Sequence, residues 1–365
     1  MGTAQERILA ITSLDGRYAD ELGMLPAIVS EHGLIKRQVE IEIGWLATLG
    51  GGILPDIERF SDNMIDFLNS LAENFSVSDS EQIKVIEKKT KHNSKAIRNW
   101  LQTKLMQYEP LAPYLEIINF GVTGEDINDL AYAMQIRDIR DQVIIPELKQ
   151  IGSNLEAKNL EQTDLPVIIR TPEAIDSPST LGKEMHVFAK ILQTSIERIG
   201  AVAIYSKFNS RPENLQSMTN SYPEVDWPIV INKFVHSMGF KTVPSANKIE
   251  YHDWAAIFFT EVASSNSILA DAAKAIYSFG ISVRLTAERK QDHLSDSTVA
   301  HENYSDFKLA ETDFGIANVL LAQLASIRSR GDLDSSSLNQ LALGEAFGYT
   351  VLGHRWLNNG LSKDL

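Results

Sequence analysis

The sequence predicts an all-α fold in which a bundle of five long helices follows a smaller helical region. Residues 125–157 place apolar side chains at intervals of three and four, which indicates a helix with one buried stripe. Residues 178–207 repeat this pattern. Residues 253–283 are apolar nearly all round, which is typical of a helix at the centre of a bundle or at a subunit interface. Two further helices are expected at residues 306–328 and 337–357.

Capping chemistry predicts where two of these helices begin. Thr123 is a suitable N-cap for the first, because its hydroxyl can accept a hydrogen bond from a free backbone N–H. Glu125 and Asp126 follow it and suit the positive end of the helix dipole. Ser177 is the expected cap of the second helix, with Pro178 as its first residue.

The chain is expected to divide into two helical domains. The region before the bundle has shorter helices and is interrupted by three glycines at residues 50–52. We therefore expect an N-terminal helical domain at residues 1–111 and a five-helix domain at residues 112–365. Residues 206–226 and 293–305 are expected to be long polar connections, and connections longer than about 12 residues are commonly functional or disordered.

Composition and charge exclude several classes of protein. The net charge of −14 repels nucleic-acid phosphates, and the lysines of residues 84–95 are typical of a solvated helix face, so no nucleic-acid partner is expected. No apolar run approaches the roughly 18 residues that span a bilayer, so no membrane partner is expected. The lack of cysteine fits a cytoplasmic protein and equally a secreted one. The histidines are scattered without metal-ligand spacing, so neither a metal nor another cofactor is expected.

Six short motifs occur in the order in which one known family has them. They are Leu-Asp-Gly-Arg-Tyr at residues 14–18, Thr-Lys-His-Asn-Ser-Lys at 90–95, Thr-Gly-Glu-Asp-Ile-Asn at 123–128, Ser-Thr-Leu-Gly-Lys-Glu-Met at 179–185, Tyr-Pro-Glu-Val-Asp-Trp at 222–227 and Ile-Glu-Tyr-His-Asp at 249–253. Together they resemble the adenylosuccinate lyase family of the aspartase/fumarase superfamily. The resemblance implies a long-helix bundle and a homotetramer in which three subunits build each active site. The family's small third domain is expected to be absent after Leu365, which makes a dimer the alternative assembly.

The family cleaves adenylosuccinate to fumarate and a nucleotide, which requires a base, an acid and donors for the phosphate and carboxylate groups. The resemblance implies seven residues that bind nucleotide or substrate, such as AMP or adenylosuccinate: Arg17, Tyr18, His92, Asn93, Thr123, Lys248 and Ser336. Two of them have simpler interpretations, since Thr123 also works purely as a helix cap and His92 alone would be a structural histidine. The serine that follows the family's substrate threonine is Gly124 here, and Lys248 stands where the family has a glutamine.

The proton-transfer positions depart furthest from the family. The resemblance places Pro172 where the family has its general-acid histidine, and proline has no proton to transfer. Ser295 matches the base serine of the signature loop, but the loop lysine is His301 and the loop's glycine and prolines are missing. A serine acts as a base only where nearby positive charge and donors stabilise its alkoxide. Gln340 stands where the family has an arginine near the phosphate.

Three hypotheses for function follow. The first is a pseudoenzyme that keeps the fold and binds a purine nucleotide but has lost or greatly weakened lyase activity. The second is an active adenylosuccinate lyase, or a related fumarate-releasing enzyme, in which Glu173, His293 or His301 replaces the acid. The third is a structural partner that mixes into tetramers with a complete lyase. Fumarate release from adenylosuccinate separates the second hypothesis from the others.

Overall fold

The chain folds almost entirely into α-helices, which confirms the predicted fold class. The computed structural model describes residues 4–161, 166–171, 174–209, 211–242, 252–288, 297–326 and 335–363. In these ranges the earlier helices are α1 Ala4–Ile8, α2 Leu25–Val29, α3 Glu31–Gly50, α4 Asp62–Glu73, α5 Val77–Thr90, α6 Asn93–Met106 and α7 Gly124–Asp138. The later helices are α8 Ile145–Glu161, α9 Leu181–Ala201, α10 Pro212–Ser221, α11 Trp227–Ser237, α12 Asp253–Glu288, α13 Ser297–Ser326 and α14 Ser335–Ser362.

Four short strands complete the described secondary structure, with two 3₁₀-helices and one π-helix. The strands are β1 Pro166–Thr171, β2 Ala174–Thr180, β3 Tyr205–Ser206 and β4 Lys241–Thr242. Strands β1 and β2 pair antiparallel, and β3 and β4 pair parallel. The 3₁₀-helices are Ala19–Leu22 and Glu109–Ile117, and the π-helix is Ile139–Ile144.

Helices α7 and α8 are joined by the π-helix into one continuous helical run. Pro146 explains this local geometry, because a proline has no N–H to bond the carbonyl four residues earlier and its ring clashes with that carbonyl. The N–H of Ile145 instead reaches the carbonyl of Arg140, five residues earlier. The run therefore continues past a proline that would otherwise end it, and carries the chain from α7 into the bundle.

The bundle consists of α8, α9, α12, α13 and α14, and its helices pack through close glycine contacts. The ring of Phe314 on α13 lies where a side chain at Gly353 on α14 would be, and Phe307 lies in the same way against Gly360. Helices α12 and α13 run antiparallel, because Ser267 bonds Asn318 while Lys274, further along α12, pairs with Glu311, earlier on α13. The five predicted long helices are thus present, although the bounds of some differ from the prediction.

The predicted start of the second long helix is wrong. Ser177 and Pro178 belong to β2, in which Ser177 pairs with Ile169 and Pro178 with Ile168. Helix α9 begins only at Leu181, capped by the hydroxyl of Thr180, and it ends at Ala201 rather than near residue 207. Both strands of a two-stranded sheet are edge strands, where a proline is tolerated, so Pro178 does not exclude a strand.

The two polar connections are also more structured than predicted. Residues 212–221 form α10, which begins with Pro212 at the position where a missing N–H costs nothing. Helix α13 begins at Ser297, so the second part of the predicted connection at residues 293–305 is helical. Short polar helices have no apolar stripe long enough to be recognised from spacing alone.

Helix α3 belongs to two hydrophobic cores at once. One of its faces, with Ile35 and Val39, packs with α5 and α6 in a smaller core. Its other face, with Ile41 and Trp45, packs in the large core that the bundle helices form. The division at residues 111 and 112 stays a prediction, and α3 shows how closely the two halves are joined. None of the described helices is both long and apolar enough to cross a membrane.

Candidate functional site

The start of α7 is fixed by a capping box, as the sequence predicts. The hydroxyl of Thr123 accepts a hydrogen bond from the N–H of Asp126 at 3.3 Å and donates one to its carboxylate at 2.7 Å. The same carboxylate accepts from the backbone N–H of Thr123 at 2.8 Å. Asp126 is 1% exposed, so the pair is a buried and mutually satisfied unit. The cap role of Thr123 is confirmed, and its role in binding stays a prediction.

The presence of a glycine at position 124 is explained by a neighbouring side chain that leaves no room for a Cβ. A Cβ built on Gly124 would come within 2.7 Å of the hydroxyl oxygen of Ser94 and 2.9 Å of its Cβ. Real Cβ atoms do not approach other atoms this closely, so side chains at positions 94 and 124 exclude each other. Ser94 therefore brings a hydroxyl to the space beside the first residue of α7, where the family's serine would stand.

Two predicted binding residues, His92 and Asn93, lie at the start of α6 beside this point. His92 is the N-cap of α6, is exposed, and makes no side-chain capping bond. The amide nitrogen of Asn93 donates to Gln38 at 2.9 Å, and Gln38 donates to Asn128 on α7 at 2.5 Å. This chain of neutral amides fixes Asn93 against α7. The structure thus brings His92 and Asn93 close to Thr123.

Sequence reasoning missed a partly buried acid–histidine pair on the other side of α7. The Nε2 of His252 lies 2.7 Å from a carboxylate oxygen of Asp129, and the other oxygen accepts the N–H of Lys207 at 2.9 Å. Tyr132 packs edge-on against His252, and burial, followed by the charge of Asp129, raises the pKa of the Tyr132 hydroxyl. A signal was present, since His252 belongs to the motif quoted at residues 249–253, but Asp129 lies far from it in the sequence.

The segment after β3 completes this side of the site. Lys207 is 9% exposed, and within the described chain its ammonium group has no hydrogen-bond partner. Asn209 takes a left-handed backbone conformation, with φ of 59°, and its amide donates to the carbonyl of Gly121 at 3.1 Å. We name the residues around the start of α7 the Thr123 cluster: Asn93, Ser94, Thr123, Gly124, Lys207 and Asn209. Within this cluster, the unpartnered ammonium group of Lys207 is the group that best suits an anionic ligand, because the Thr123 hydroxyl already donates to Asp126.

Arg17 and Tyr18 lie elsewhere in the chain, on the surface of α14. The ring of Tyr18 packs edge-on against Trp356, with 5.3 Å between ring centroids. Arg17 is exposed, and neither its guanidinium nor the Tyr18 hydroxyl bonds to another described residue. We name Arg17, Tyr18 and Trp356 the Tyr18 cluster. It offers one cation and one phenol to solvent, which is suitable phosphate-binding chemistry.

The two clusters do not meet within one chain. The helical run from Gly124 to Glu147 is about 35 Å long, and Glu147 bonds His354, two residues before Trp356. Ser336 lies at the start of α14, and Trp356 lies about 30 Å further along the same helix. Tyr18 and Ser336 are therefore far apart in one chain, and they can share a ligand only between copies.

Several predicted residues cannot be compared with the structure. Pro172, Lys248 and Ser295 lie outside the described residues, as do Glu173 and His293. Ser336 and His301 are in helices, but their side chains are also outside the description. In the parts of the chain that are described, no group of three or more acidic or histidine side chains is arranged to hold a metal ion.

Comparisons with known proteins agree with the motifs and the helical fold. A family model described as "Lyase" matches residues 43–282. The chain is 32% identical to adenylosuccinate lyase of Escherichia coli strain K12 over 363 residues, covering 98% of this chain and 79% of that protein. It is 31% identical to adenylosuccinate lyase of Haemophilus influenzae, with the same coverage.

Solved structures with little sequence identity share the fold. Beta-carboxy-cis,cis-muconate cycloisomerase from Acinetobacter calcoaceticus sp. ADP1 superposes with a TM-score of 0.68 at 14% identity, covering 95% of this chain and 77% of the other. A fumarate lyase from Mesorhizobium sp. BNC1 superposes with a TM-score of 0.67 at 15% identity, covering 92% and 74%. From the family match and the identity to these relatives, the chain belongs to the adenylosuccinate lyase family.

Proposed function

We propose that this protein binds a purine nucleotide such as AMP or adenylosuccinate and cleaves adenylosuccinate slowly or not at all. The observation that carries the proposal is Pro172, which stands where the family resemblance puts the general acid. A proline side chain has no titratable group and its nitrogen has no proton, so no rotamer or small shift restores proton transfer at this position. The altered sequence of the loop around Ser295 is expected to reduce cleavage further.

The described geometry supports the binding half of the proposal. The guanidinium of Arg17 and the hydroxyl of Tyr18 have no partner in the described chain, while the Tyr18 ring is held by Trp356. Ser94 supplies a hydroxyl beside Gly124, at a point where the hydroxyl of Thr123 already donates to Asp126. These groups need no proton transfer in order to hold a phosphate or a carboxylate.

A homotetramer is part of the proposal, with a dimer as the alternative. Tyr18 and Ser336 lie about 30 Å apart along α14, so a shared phosphate site would have to form between copies. Apolar side chains also remain exposed along the bundle, including Ile257 at 55% on α12 and Val319 at 71% on α13. Light scattering at micromolar concentration tests this, and a stable monomer would refute it.

The test of catalysis is fumarate release from adenylosuccinate. A general acid contributes roughly 10²–10⁴-fold to the rate, which corresponds to about 3–5 kcal/mol of barrier. We expect cleavage near background, and we expect Pro172→His alone not to restore it, because Ser295 still lies in an altered loop. A turnover number of about 1 per second or more would contradict the pseudoenzyme proposal. It would favour an active lyase in which another group, such as Glu173, supplies the proton.

The test of binding is independent of catalysis. Millimolar AMP should raise the melting temperature, because a ligand that binds only the folded state stabilises it. Arg17→Ala should weaken AMP binding by about 1.5–3 kcal/mol, the range for a hydrogen bond to a charged group. Arg59→Ala is the matched control, since Arg59 is also an exposed arginine but lies after α3. We also propose a cytoplasmic location, where purine nucleotides are abundant, and cell fractionation tests it.

A further inference from the structure

The segment that carries Arg17 and Tyr18 has its own small hydrophobic core. Leu14 and Leu22 pack against Leu352 of α14, and all three are at most 8% exposed. The close contact is possible because Gly348 has no side chain: a Cβ there would lie 2.8 Å from a methyl carbon of Leu14. The backbone around Tyr18 is therefore anchored to α14 from both sides.

Within this core, Trp356 is the residue that determines where the Tyr18 ring lies. The two rings meet edge-on at an interplanar angle of 75°, an arrangement that aromatic pairs prefer. Leu14 and Leu22 anchor the backbone on either side of Tyr18, and the ring of Tyr349 packs against the same core. A ring at position 356 limits the rotamer of Tyr18, and with it the position of the phenol oxygen.

A hydrogen bond to the neighbouring helix fixes the position of Trp356. Its indole N–H donates to a carboxylate oxygen of Asp313 on α13 at 2.9 Å. Burial raises the pKa of Asp313 to about 6, so at pH 7.5 the carboxylate is ionised and accepts a charge-assisted bond. Asp313 makes no contact with Tyr18 in the described structure, so any effect it has on Tyr18 passes through Trp356.

We propose that Trp356 is a positioning residue for nucleotide binding, which orients the Tyr18 hydroxyl beside Arg17, and that Asp313 fixes Trp356 in place. This inference rests on the proposed function, in which Arg17 and Tyr18 bind the nucleotide phosphate. It adds two residues, on α13 and α14, that no motif in the sequence indicated. In this proposal the geometry of the binding site depends on the bundle helices α13 and α14 as well as on the segment before α2.

The experiment measures AMP affinity by calorimetry at pH 7.5 in the full-length protein, with the melting temperature recorded for each variant. Trp356→Leu removes the ring and should weaken AMP binding by about 2- to 10-fold, the range expected for one aromatic pair. Trp356→Phe keeps a ring but lacks the indole N–H that bonds Asp313, so it should recover only part of this loss. Asp313→Asn keeps an acceptor for the indole and should have little effect, whereas Asp313→Leu should weaken binding.

Two controls separate positioning from stability. Trp100 is also buried and packs edge-on against an aromatic ring, Phe75, but it lies in the smaller core. Trp100→Leu should lower the melting temperature without changing AMP affinity. In a Tyr18→Leu background, Trp356→Leu should cause no further loss of affinity, because the ring it positions is gone.

The outcomes distinguish this inference from the proposed function. If AMP binds and Arg17→Ala weakens it, but Trp356→Leu does not, the positioning role is wrong and the proposed function stands. An equal loss of affinity with and without Tyr18 would also refute the positioning role. If AMP does not bind the unmodified protein, the proposed function fails and this inference fails with it.

Discussion

The buried carboxyl of Glu42 makes the stability of the fold depend on pH. Glu42 lies on α3 and is 1% exposed, one of its oxygens has no partner in the described chain, and the other receives only a long bond of 3.5 Å from Asn119. Burial raises its pKa from 4.5 to about 8. Asn119 lies in the turn that leads to Thr123, so a charge on Glu42 would act next to the candidate site.

The size and sign of this effect follow from the two pKa values. Below pH 4.5 the carboxyl is neutral in both the folded and the unfolded chain and costs nothing. As the pH rises towards 8, the unfolded chain loses this proton and the folded chain keeps it, so the free energy of unfolding falls. A difference of about 3.5 pH units corresponds to at most about 5 kcal/mol, which is fully lost above pH 8.

The perturbation is Glu42→Gln, which removes the ionisation and keeps the shape. At pH 5 the variant should be less stable than the unmodified protein by up to about 2 kcal/mol, because the folded carboxyl is neutral there and the buried amide adds an unpartnered donor. At pH 8.5 it should be more stable by roughly 2–4 kcal/mol, since the buried amide leaves an unpartnered donor that costs about 1–3 kcal/mol. Urea unfolding followed by circular dichroism at both pH values measures this.

The control for this measurement is Glu116→Gln, which changes an exposed carboxyl close to Asn119 in the sequence. It should not alter the difference between the two pH values. If Glu42→Gln changes the free energy of unfolding equally at pH 5 and pH 8.5, then Glu42 is not held neutral by burial. The physical account of this part of α3 would then be wrong.

Three further predictions concern single contacts. Thr123→Ala should lower the free energy of unfolding by about 0.5–2 kcal/mol in urea titrations, and Thr123→Ser should recover most of it, because the lost contact is a helix cap. Gly124→Ser should lower the melting temperature, and adding Ser94→Gly should restore it; no restoration would contradict the mutual exclusion of the two side chains. His354→Leu should cost about 3 kcal/mol in urea titrations, since it leaves the carboxylate of Glu147 without its 2.7 Å partner, and a second change of Glu147→Leu should recover part of the loss.

Local chemistry in the sequence predicted part of the fold correctly. The cap at Thr123 and the nearly all-apolar helix α12 depend on neighbouring residues, so spacing and capping rules sufficed. Strand β2 was missed because Ser177 and Pro178 carry helix-start signals, and only the pairing with β1 decides between the two structures. The sequence contains no local sign of that pairing.

The candidate site was predicted less completely, because its contacts join distant parts of the chain. The pairs Asp129 with His252 and Tyr18 with Trp356 each connect residues more than a hundred positions apart. Ser94 could not be linked to Gly124 until the starts of α6 and α7 were known to touch. The motifs indicated which segments to consider, and the geometry places those that are described in two separate clusters.

Because the Thr123 cluster and the Tyr18 cluster are separate, binding and cleavage can depend on different residues of this protein. The Tyr18 cluster depends on Trp356 and on the small core that Leu14 and Leu22 form with Leu352 of α14. Removing a proton donor raises the barrier to bond cleavage by several kcal/mol, but it does not remove the groups of the proposed phosphate site. The proposed function therefore predicts binding without cleavage, and the AMP-binding assay and the fumarate-release assay test its two halves separately.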